Sequence, residues 1–402
     1  MKISIFPDAH CGYAYGEERG EDSFNALAEA VEKSKDSDLI LIAGDLFDIR
    51  LPRPEVFSRT AKILRKAQQF PNRAKLVSIF NKDENDIHPT ALQGVPIVAI
   101  HGNHDRRSHG LVNPVQAMEH VGMLTHLERS SAVFEVNGEK VAIHGMSNVS
   151  ERYAKQAMDE WNPKPVEGAF NILIIHQSVD PYIYSPLEPP SLKLDELPQG
   201  FDLYVLGHMH WHEWRKFRNA DLLVTGSMTY TSLGRAEMDQ TKMFFSYDTH
   251  SGLQPVELRT QRRIYYREIE LSGDVKAALE NELSALPLLS PKPIYVFKLK
   301  GSLPRNIPLP SFGDIEAKYA HKAVMVINRS SVLEDSKFHE DLLKALKDQR
   351  RSPEELGLEL LKRNLLSSNC SIRVEEIFEL LVSGDLDDAF DIINGTQKVL
   401  PA

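Results

Sequence analysis

Eight polar residues follow five short apolar segments, and their side chains are of the types that bind transition-metal ions. They are Asp8, His10, Asp45, Asn103, His104, His176, His208 and His210. Carboxylate, amide and imidazole donors together favour manganese, iron or zinc, whereas calcium and magnesium prefer oxygen donors alone. Two metal ions about 4 Å apart are a common means of hydrolysing phosphate esters. The set therefore predicts a two-metal hydrolytic site.

The spacing of these residues also predicts how they divide between two ions. Asp45 follows Ala-Gly, where small residues permit close approach, and its two oxygens can bridge both ions. We expect one ion to be held by Asp8, His10, Asp45 and His210, and the other by Asp45, Asn103, His176 and His208. His104 is left unbound as a general acid for the leaving alkoxide, and Asp105 is expected to orient its ring.

Apolar runs that alternate with amphipathic stretches predict the elements that position these residues. Helices are expected over Glu21–Ser34 and from Pro54, and the buried strands over Ile3–Phe6, Leu39–Ala43, Ile97–Ile100, Ile172–Ile175 and Leu203–Leu206. Strand–helix alternation indicates an α/β layered domain, in which active sites gather at the carboxyl ends of strands. The polar segment 70–94 interrupts the alternation and is predicted to be a surface insertion.

The length and composition favour a multidomain intracellular protein. The 402 residues predict a domain over 1–255, a small α+β domain over 256–335 and a helical region over 336–402. In the last region, Ser352 to Glu355 form a capping box, and Val374, Ile377, Phe378 and Leu381 form an apolar stripe. Only two cysteines occur, and no membrane or export segment is recognisable, so a cytoplasmic location is expected.

Arginines accompany the candidate metal residues although the formal net charge is −10. Those adjacent to the polar segments are Arg50, Arg53, Arg106, Arg107 and Arg215. Such residues can form a track for a phosphate backbone, or they can simply be solvated surface charges. Both interpretations stay open at this point.

The sequence motifs in these segments resemble those of a known family. Asp-x-His, Gly-Asp, Gly-Asn-His-Asp, His-Gln and Gly-His-x-His are the motifs of the calcineurin-like metallophosphoesterases. Longer stretches, such as Leu-Ile-Leu-Ile-Ala-Gly-Asp-Leu-Phe-Asp and Leu-Tyr-Val-Leu-Gly-His-Met-His, resemble the archaeal Mre-eleven (Mre11) nucleases, whose bacterial form is SbcD. The resemblance is strong over residues 1–230 and weaker beyond them.

This resemblance implies a four-layer α/β/β/α core with a capping domain that binds DNA and a helical tail. It also implies two manganese ions per subunit, 3′→5′ exonuclease action on duplex DNA and endonuclease action on single strands. The partners would be DNA, a Rad-fifty-type ATPase gripped by the tail, and a second copy of the chain. Action at DNA ends would place the protein at a prokaryotic nucleoid. The dimer would use Pro54–Gln69 and Asn113–Val121, with Val115, Met118 and Val121 as its seam.

One residue departs from the family pattern. Several relatives carry a histidine three residues after the bridging aspartate, where this chain has Asp48. The departure leaves the exonuclease-to-endonuclease balance open, with Asp48 as a neighbour of the metal ligands. Two alternatives to a DNA nuclease also remain: a phosphatase or small-molecule phosphodiesterase on the same fold, and a subunit that mainly scaffolds the ATPase.

Overall fold

A computed structural model describes residues 1–334 except 109, 185–190, 272–273 and 304–310, together with 357–358, 362, 374–383, 389 and 392. The chain divides into two compact units, Met1–Gln261 and Arg262–Ala402. The helices are α1 Asp22–Lys33, α2 Pro54–Leu64, α3 Pro114–His120, α4 Glu151–Trp161, α5 Arg235–Met238, α6 Val275–Ser284, α7 Gly313–Tyr319 and α8 Val374–Ser383. Among the described residues, no helix combines the length and apolarity that crossing a membrane requires.

Two large sheets form the frame of the first unit. The six-stranded sheet has the order β15-β14-β1-β2-β4-β5, and its strands are β1 Lys2–Phe6, β2 Leu39–Ile42, β4 Ile97–Ala99, β5 Thr125–His126, β14 Met243–Asp248 and β15 Gly252–Glu257. The seven-stranded sheet has the order β12-β13-β11-β8-β7-β6-β3. Its strands are β3 Lys75–Phe80, β6 Ser130–Val136, β7 Glu139–Met146, β8 Phe170–Ile175, β11 Leu203–Leu206, β12 His212–Phe217 and β13 Ala220–Thr225. A short pair, β9 Val179–Asp180 and β10 Leu192–Lys193, lies apart from them.

Strand β2 illustrates how the layers form. All four of its residues are buried because both faces of its sheet are covered. Leu39 and Leu41 point into a core shared with the seven-stranded sheet, whereas Ile40 and Ile42 pack with residues of α1, α2 and α3. Helix α4 contributes to a third core on the outer face of the seven-stranded sheet. The expected four-layer α/β/β/α core is therefore confirmed.

The polar segment 70–94 contributes more than a surface loop. Its residues Lys75–Phe80 form β3, which pairs antiparallel with β6 and ends the seven-stranded sheet. Val77 and Phe80 on this strand remain exposed. The predicted surface insertion is therefore also part of the sheet, since alternating apolar residues inside the polar stretch are sufficient for an edge strand.

The second unit contains a three-stranded sheet. Its strands are β16 Ile264–Glu270, β17 Ile294–Leu303 and β18 Val324–Glu334, all parallel, with α6 and α7 between them in sequence. The unit thus has a β-α-β pattern, which refines the expected α+β arrangement. Helix α8 carries the predicted stripe residues Val374, Ile377, Phe378 and Leu381. The predicted capping box at Ser352 to Glu355 lies outside the described residues.

Candidate metal centre

The predicted ligands come together because parallel strands end at a common edge. Asp8, Asp45 and Asn103 follow β1, β2 and β4 of one sheet, and His176 and His208 follow β8 and β11 of the other. The neighbouring pairs of these strands, β1–β2, β2–β4 and β8–β11, are all parallel. The two edges meet where His176 Nδ1 donates to the carbonyl oxygen of Ala43 at 2.8 Å. Side chains from both sheets therefore face one space.

Within that space the side chains form two groups. Ligand atoms of Asp8, His10 and His210 lie within 4.8 Å of one another, with the two Nε2 atoms of His10 and His210 3.1 Å apart. Asn103 Oδ1 lies 3.1 Å from His176 Nε2 and 2.9 Å from His208 Nδ1. The sequence assigns these two groups to separate ions, and that assignment stays a prediction, since Asp8 also lies within 4.8 Å of Asp45 and His176.

Asp45 lies between the two groups. Its Oδ2 is 4.0 Å from His10 Nε2 and 3.4 Å from His176 Nε2. Its Oδ1 accepts a hydrogen bond from the backbone N–H of His104 at 2.8 Å. One carboxylate oxygen is thus positioned by the backbone while the other faces both groups of ligands.

The backbone of the site is strained, as is common where function fixes a geometry. His10, Asp45 and His208 have φ values of 47°, 43° and 87°, in the left-handed region that costs about 1 kcal/mol or more for a residue with a side chain. Gly44 has a φ of 107°, and a Cβ there would lie 2.1 Å from His176 Nδ1. Only glycine therefore allows His176 to approach the strand end.

The electrostatics of the site favour a cation. Burial raises the pKa of Asp8 well above its usual value, and the nearby Asp45 carboxylate adds to the effect. Burial would also raise the pKa of Asp45, but His176 and His10 lower it. Burial lowers the pKa of His208 to about 3 and that of His210 to about 2. His208 and His210 are therefore neutral, which is the form that binds metals. Burial alone would lower the pKa of His176, but Asp45 and Asp8 raise it to about 9, so this ring carries a positive charge that a bound cation would replace.

Hydrogen bonds in and around the site fit a divalent metal. The buried His10 Nδ1 makes no hydrogen bond within the described part of the chain, although Asp48 Oδ1 lies 3.4 Å away. Outer contacts fix two other rings, because His176 Nδ1 contacts Ala43 O and His210 Nδ1 contacts Thr231 Oγ1, both at 2.8 Å. Their Nε2 atoms therefore point inward, as metal-bound histidines do.

His104 differs from the other site histidines because it is exposed. Its Nδ1 lies 2.7 Å from the backbone oxygen of Asp48, and its ring centre lies 4.8 Å from that of His10. The expectation that Asp105 orients this ring is wrong. The buried Asp105 carboxylate instead accepts hydrogen bonds from the backbone N–H groups of Leu46, Phe47 and Gly102. Asp105 therefore shapes the turn, and Asp48 is the residue that contacts both His104 and His10.

The five candidate phosphate-binding arginines differ in exposure. Arg53 and Arg215 are exposed, whereas Arg50, Arg106 and Arg107 are partly buried. Several already contact the protein: Arg215 donates to Tyr182 Oη at 2.8 Å, Arg106 to Ser150 Oγ at 3.2 Å, and Arg53 lies over the Tyr15 ring. A role in binding a phosphate backbone remains a prediction.

The expected dimer seam needs correction. Val115 and Met118 are fully buried in the core shared by α1, α2 and α3, so neither can contact a second chain. Val121 is 53% exposed. An apolar stripe on a helix has the same spacing whether it faces its own core or a partner, and here it faces the core.

The structure also adds residues that the sequence motifs did not single out. The Tyr184 ring contacts both His208 and His210, and its hydroxyl donates to the backbone oxygen of His208 at 2.7 Å. Thr231 contacts His210. Both lie in loops outside the strand-end segments, where no spacing rule indicates proximity to the site.

Comparisons with known proteins agree with this geometry. The model of the calcineurin-like phosphoesterase family matches residues 1–212. A double-strand break repair protein MRE11 of Encephalitozoon cuniculi is 26% identical over 306 residues, covering 71% of this chain and 53% of the relative. DNA double-strand break repair proteins Mre11 of Methanopyrus kandleri and Thermoplasma acidophilum are each 28% identical, covering 52% and 51% of this chain and 44% and 50% of those proteins.

These matches confirm the predicted resemblance, and the chain spans about half the length of the curated relatives it matches. The family match extends over more than half of the chain and includes every candidate ligand from Asp8 to His210. The shared fold, the strand-end motifs and the converging side chains all have the same explanation: the chain belongs to the calcineurin-like phosphoesterase family.

Proposed function

We propose that the protein is a manganese-dependent DNA nuclease that processes double-strand-break ends. The observation that carries the proposal is the convergence of seven buried or half-buried metal-binding side chains beside one exposed histidine, His104. The names of the similar proteins, which are double-strand break repair proteins, support DNA as the substrate. The proposed activities are 3′→5′ exonuclease action on duplex DNA and endonuclease action on single strands.

The site would hold two divalent ions per subunit. Asp8, His10 and His210 would bind one ion, Asn103, His176 and His208 the other, and Asp45 would bridge them. When bound, such ions lower the pKa of a coordinated water and neutralise the charge on phosphate oxygens. The mixture of nitrogen and oxygen donors supports manganese over magnesium.

Residues of the chain would position the reacting groups and supply the proton for the leaving group. Asp45 fixes the His104 backbone through its Oδ1, so the bridge and the acid are held in one geometry. His104 Nδ1–H donates a hydrogen bond to the Asp48 backbone oxygen, so in the doubly protonated ring Nε2–H would be available to protonate the leaving alkoxide. The Nε2 proton moves to the leaving alkoxide oxygen as the bond between that oxygen and phosphorus breaks. Asp48, which also approaches His10, would tune the balance between exonuclease and endonuclease action.

The other parts of the chain would supply the substrate and partner surfaces. We propose that Arg53 and Arg215, both exposed, contact the phosphate backbone, with Arg50, Arg106 and Arg107 contributing from partly buried positions. Residues 256–335 would form a DNA-binding cap, and residues 336–402 would bind a Rad-fifty-type ATPase. A homodimer and a cytoplasmic location at prokaryotic DNA ends complete the proposal.

A two-substrate assay tests the activity. The purified protein with manganese is given end-labelled duplex DNA or p-nitrophenyl phosphate, beside the His104→Ala variant. His250→Ala, an exposed histidine between β14 and β15, is the matched control. We expect DNA cleavage that falls about 10²-fold or more in His104→Ala and is unchanged in His250→Ala. Cleavage of the small ester with intact DNA would show a phosphatase instead.

A truncation tests the proposed role of the tail. Deleting residues 336–402 should abolish binding to the ATPase and leave manganese-dependent cleavage of short DNA in place. Unchanged affinity for the ATPase would refute the assignment of the tail. The scaffold alternative is refuted if His104→Ala abolishes DNA cleavage while binding to the ATPase stays intact.

A further inference from the structure

A buried ion pair lies close to the metal centre without belonging to its predicted ligands. Glu237 and Lys242 are each 2% exposed, and Lys242 Nζ lies 2.9 Å from Glu237 Oε1. Removing two charges from water costs several kcal/mol per ion, so a buried pair is weak evidence for a role in stability. The contacts of the pair indicate what else it does.

The Glu237 carboxylate organises the loop that precedes α5. Its Oε1 accepts a hydrogen bond from Thr231 N at 3.0 Å, and its Oε2 accepts from Leu233 N and Ser232 Oγ, both at 2.8 Å. Leu233 adopts a φ of 50°, a conformation that a β- or γ-branched residue adopts only when its surroundings impose it. The loop from Thr231 to Leu233 is therefore shaped around one carboxylate.

The same loop contacts His210 at its outer ring nitrogen. Thr231 Oγ1 lies 2.8 Å from His210 Nδ1, while His210 Nε2 faces His10 Nε2 at 3.1 Å. Lys242 holds the backbone of the same histidine, because its Nζ donates to His210 O at 3.1 Å and to Ser227 Oγ at 2.7 Å. Ring and backbone of His210 are thus both tied to the buried pair.

We propose that Glu237, neutralised by Lys242, is a positioning residue for His210 that acts through Thr231. The carboxylate fixes the position of Thr231, and Thr231 Oγ1 accepts a hydrogen bond from Nδ1–H of His210. The proton is thereby kept on Nδ1, and the lone pair of Nε2 is directed at the ion proposed beside Asp8 and His10. This inference rests on the metal centre of the proposed function but not on DNA as its substrate.

Two variants of Thr231 test the contact itself. Thr231→Val removes the acceptor and keeps the shape, whereas Thr231→Ser keeps the hydroxyl. Calorimetric titration of manganese into the metal-free full chain should show about tenfold or greater loss of affinity for one of two ions in Thr231→Val. Thr231→Ser should bind both ions with the affinities of the unchanged chain. Without metal, the melting temperatures of both variants should equal that of the unchanged chain. Equal affinities in all three proteins would overturn the proposal.

A double-mutant cycle tests whether Glu237 acts through Thr231. Glu237→Gln replaces one carboxylate oxygen with an NH₂ group, which then faces hydrogen-bond donors of the loop. We expect this change to weaken the binding of the same single ion. In the Thr231→Val background, Glu237→Gln should cause a clearly smaller loss of affinity than it causes alone, because both changes act on the Thr231–His210 contact and only the contact of Lys242 with His210 O remains to be disturbed. Losses that multiply in the double variant would overturn the proposed route. Metal binding is measured without DNA, so a chain that binds two ions and leaves DNA intact would refute the nuclease and not this inference.

Discussion

Two pairs of neighbouring histidines in this molecule have almost the same spacing and different surroundings. His10 and His210 approach at 3.1 Å between their Nε2 atoms, and His101 and His126 approach at 3.0 Å between Nδ1 and Nε2. The first pair shares its space with the buried carboxylates of Asp8 and Asp45. The exposed Glu128 offers a carboxylate to the second pair, and the buried Glu119 carboxylate nearby accepts from the backbone N–H of His126 instead.

Hydrogen bonding separates the pairs further. In the second pair, His101 Nε2 donates to Asn148 O at 3.2 Å, Asn113 Nδ2 lies 3.3 Å from His101 Nδ1, and Ser147 Oγ lies 3.2 Å from His126 Nε2. In the first pair, His10 Nδ1 is without a hydrogen bond in the part of the chain that is described. Proximity of imidazoles alone therefore does not predict a metal site. In the first pair the two Nε2 atoms face each other beside the Asp8 and Asp45 carboxylates, where a cation would fit, whereas the second pair is a completed structural network.

The largest expected effect comes from removing the charge between the two groups of ligands. Asp45→Asn keeps the acceptor for the His104 backbone and loses the bridging charge. We expect manganese binding to fall below detection and DNA cleavage to fall about 10³-fold or more. Isothermal titration and a gel-based cleavage assay measure the two effects, with the exposed Asp36→Asn as the matched control. Retention of both ions would mean that Asp45 is not a ligand.

Substitution in the second pair, His101 and His126, should lower the stability of the fold and leave metal binding unchanged. His126→Ala removes a buried ring and its hydrogen bonds, and we expect the free energy of unfolding to fall by about 2 kcal/mol or more. Manganese affinity should be unchanged. Urea denaturation of the metal-free chain and a manganese titration provide the comparison with Asp45→Asn. A loss of manganese binding at full stability would place a metal at His101 and His126 and remove the contrast between the pairs.

The pH dependence of stability gives a smaller and more specific difference. Burial lowers the pKa of His101 to about 3 and that of His126 well below 6.5. Between the unfolded pKa near 6.5 and these lower values, the unfolded chain binds more protons than the native chain, so stability falls as pH falls. Without His126, the slope of unfolding free energy against pH near pH 5 should be shallower by about 1.4 kcal/mol per pH unit. Parallel curves for the two metal-free proteins would show that native His126 is protonated.

Much of the candidate site could be predicted because the position of each residue follows from the strand directly before it. Asp8, Asp45 and Asn103 each follow a buried strand, and the rule that parallel strands end at one edge is enough to bring them together. The expected contact between Asp105 and His104 does not form, because neighbouring residues in a tight turn point in different directions. His104 faces solvent, whereas the Asp105 carboxylate turns inward to three backbone N–H groups.

Contacts between distant segments could not be predicted in the same way. The pairing of Thr231 with His210, and of Glu237 with Lys242, depends on a loop conformation that no periodicity encodes. The stripe on α3 illustrates a second limit. Val115 and Met118 have a spacing that fits a dimer seam as well as a core, and only the packing of α1 and α2 decides between them.

Anomalous diffraction from a crystal of the full chain soaked in manganese tests the central claim most directly. The account predicts two peaks on either side of Asp45, one beside Asp8, His10 and His210 and the other beside Asn103, His176 and His208. It predicts no peak between His101 and His126. A single peak or none beside Asp45, or any peak at the His101–His126 pair, would contradict it.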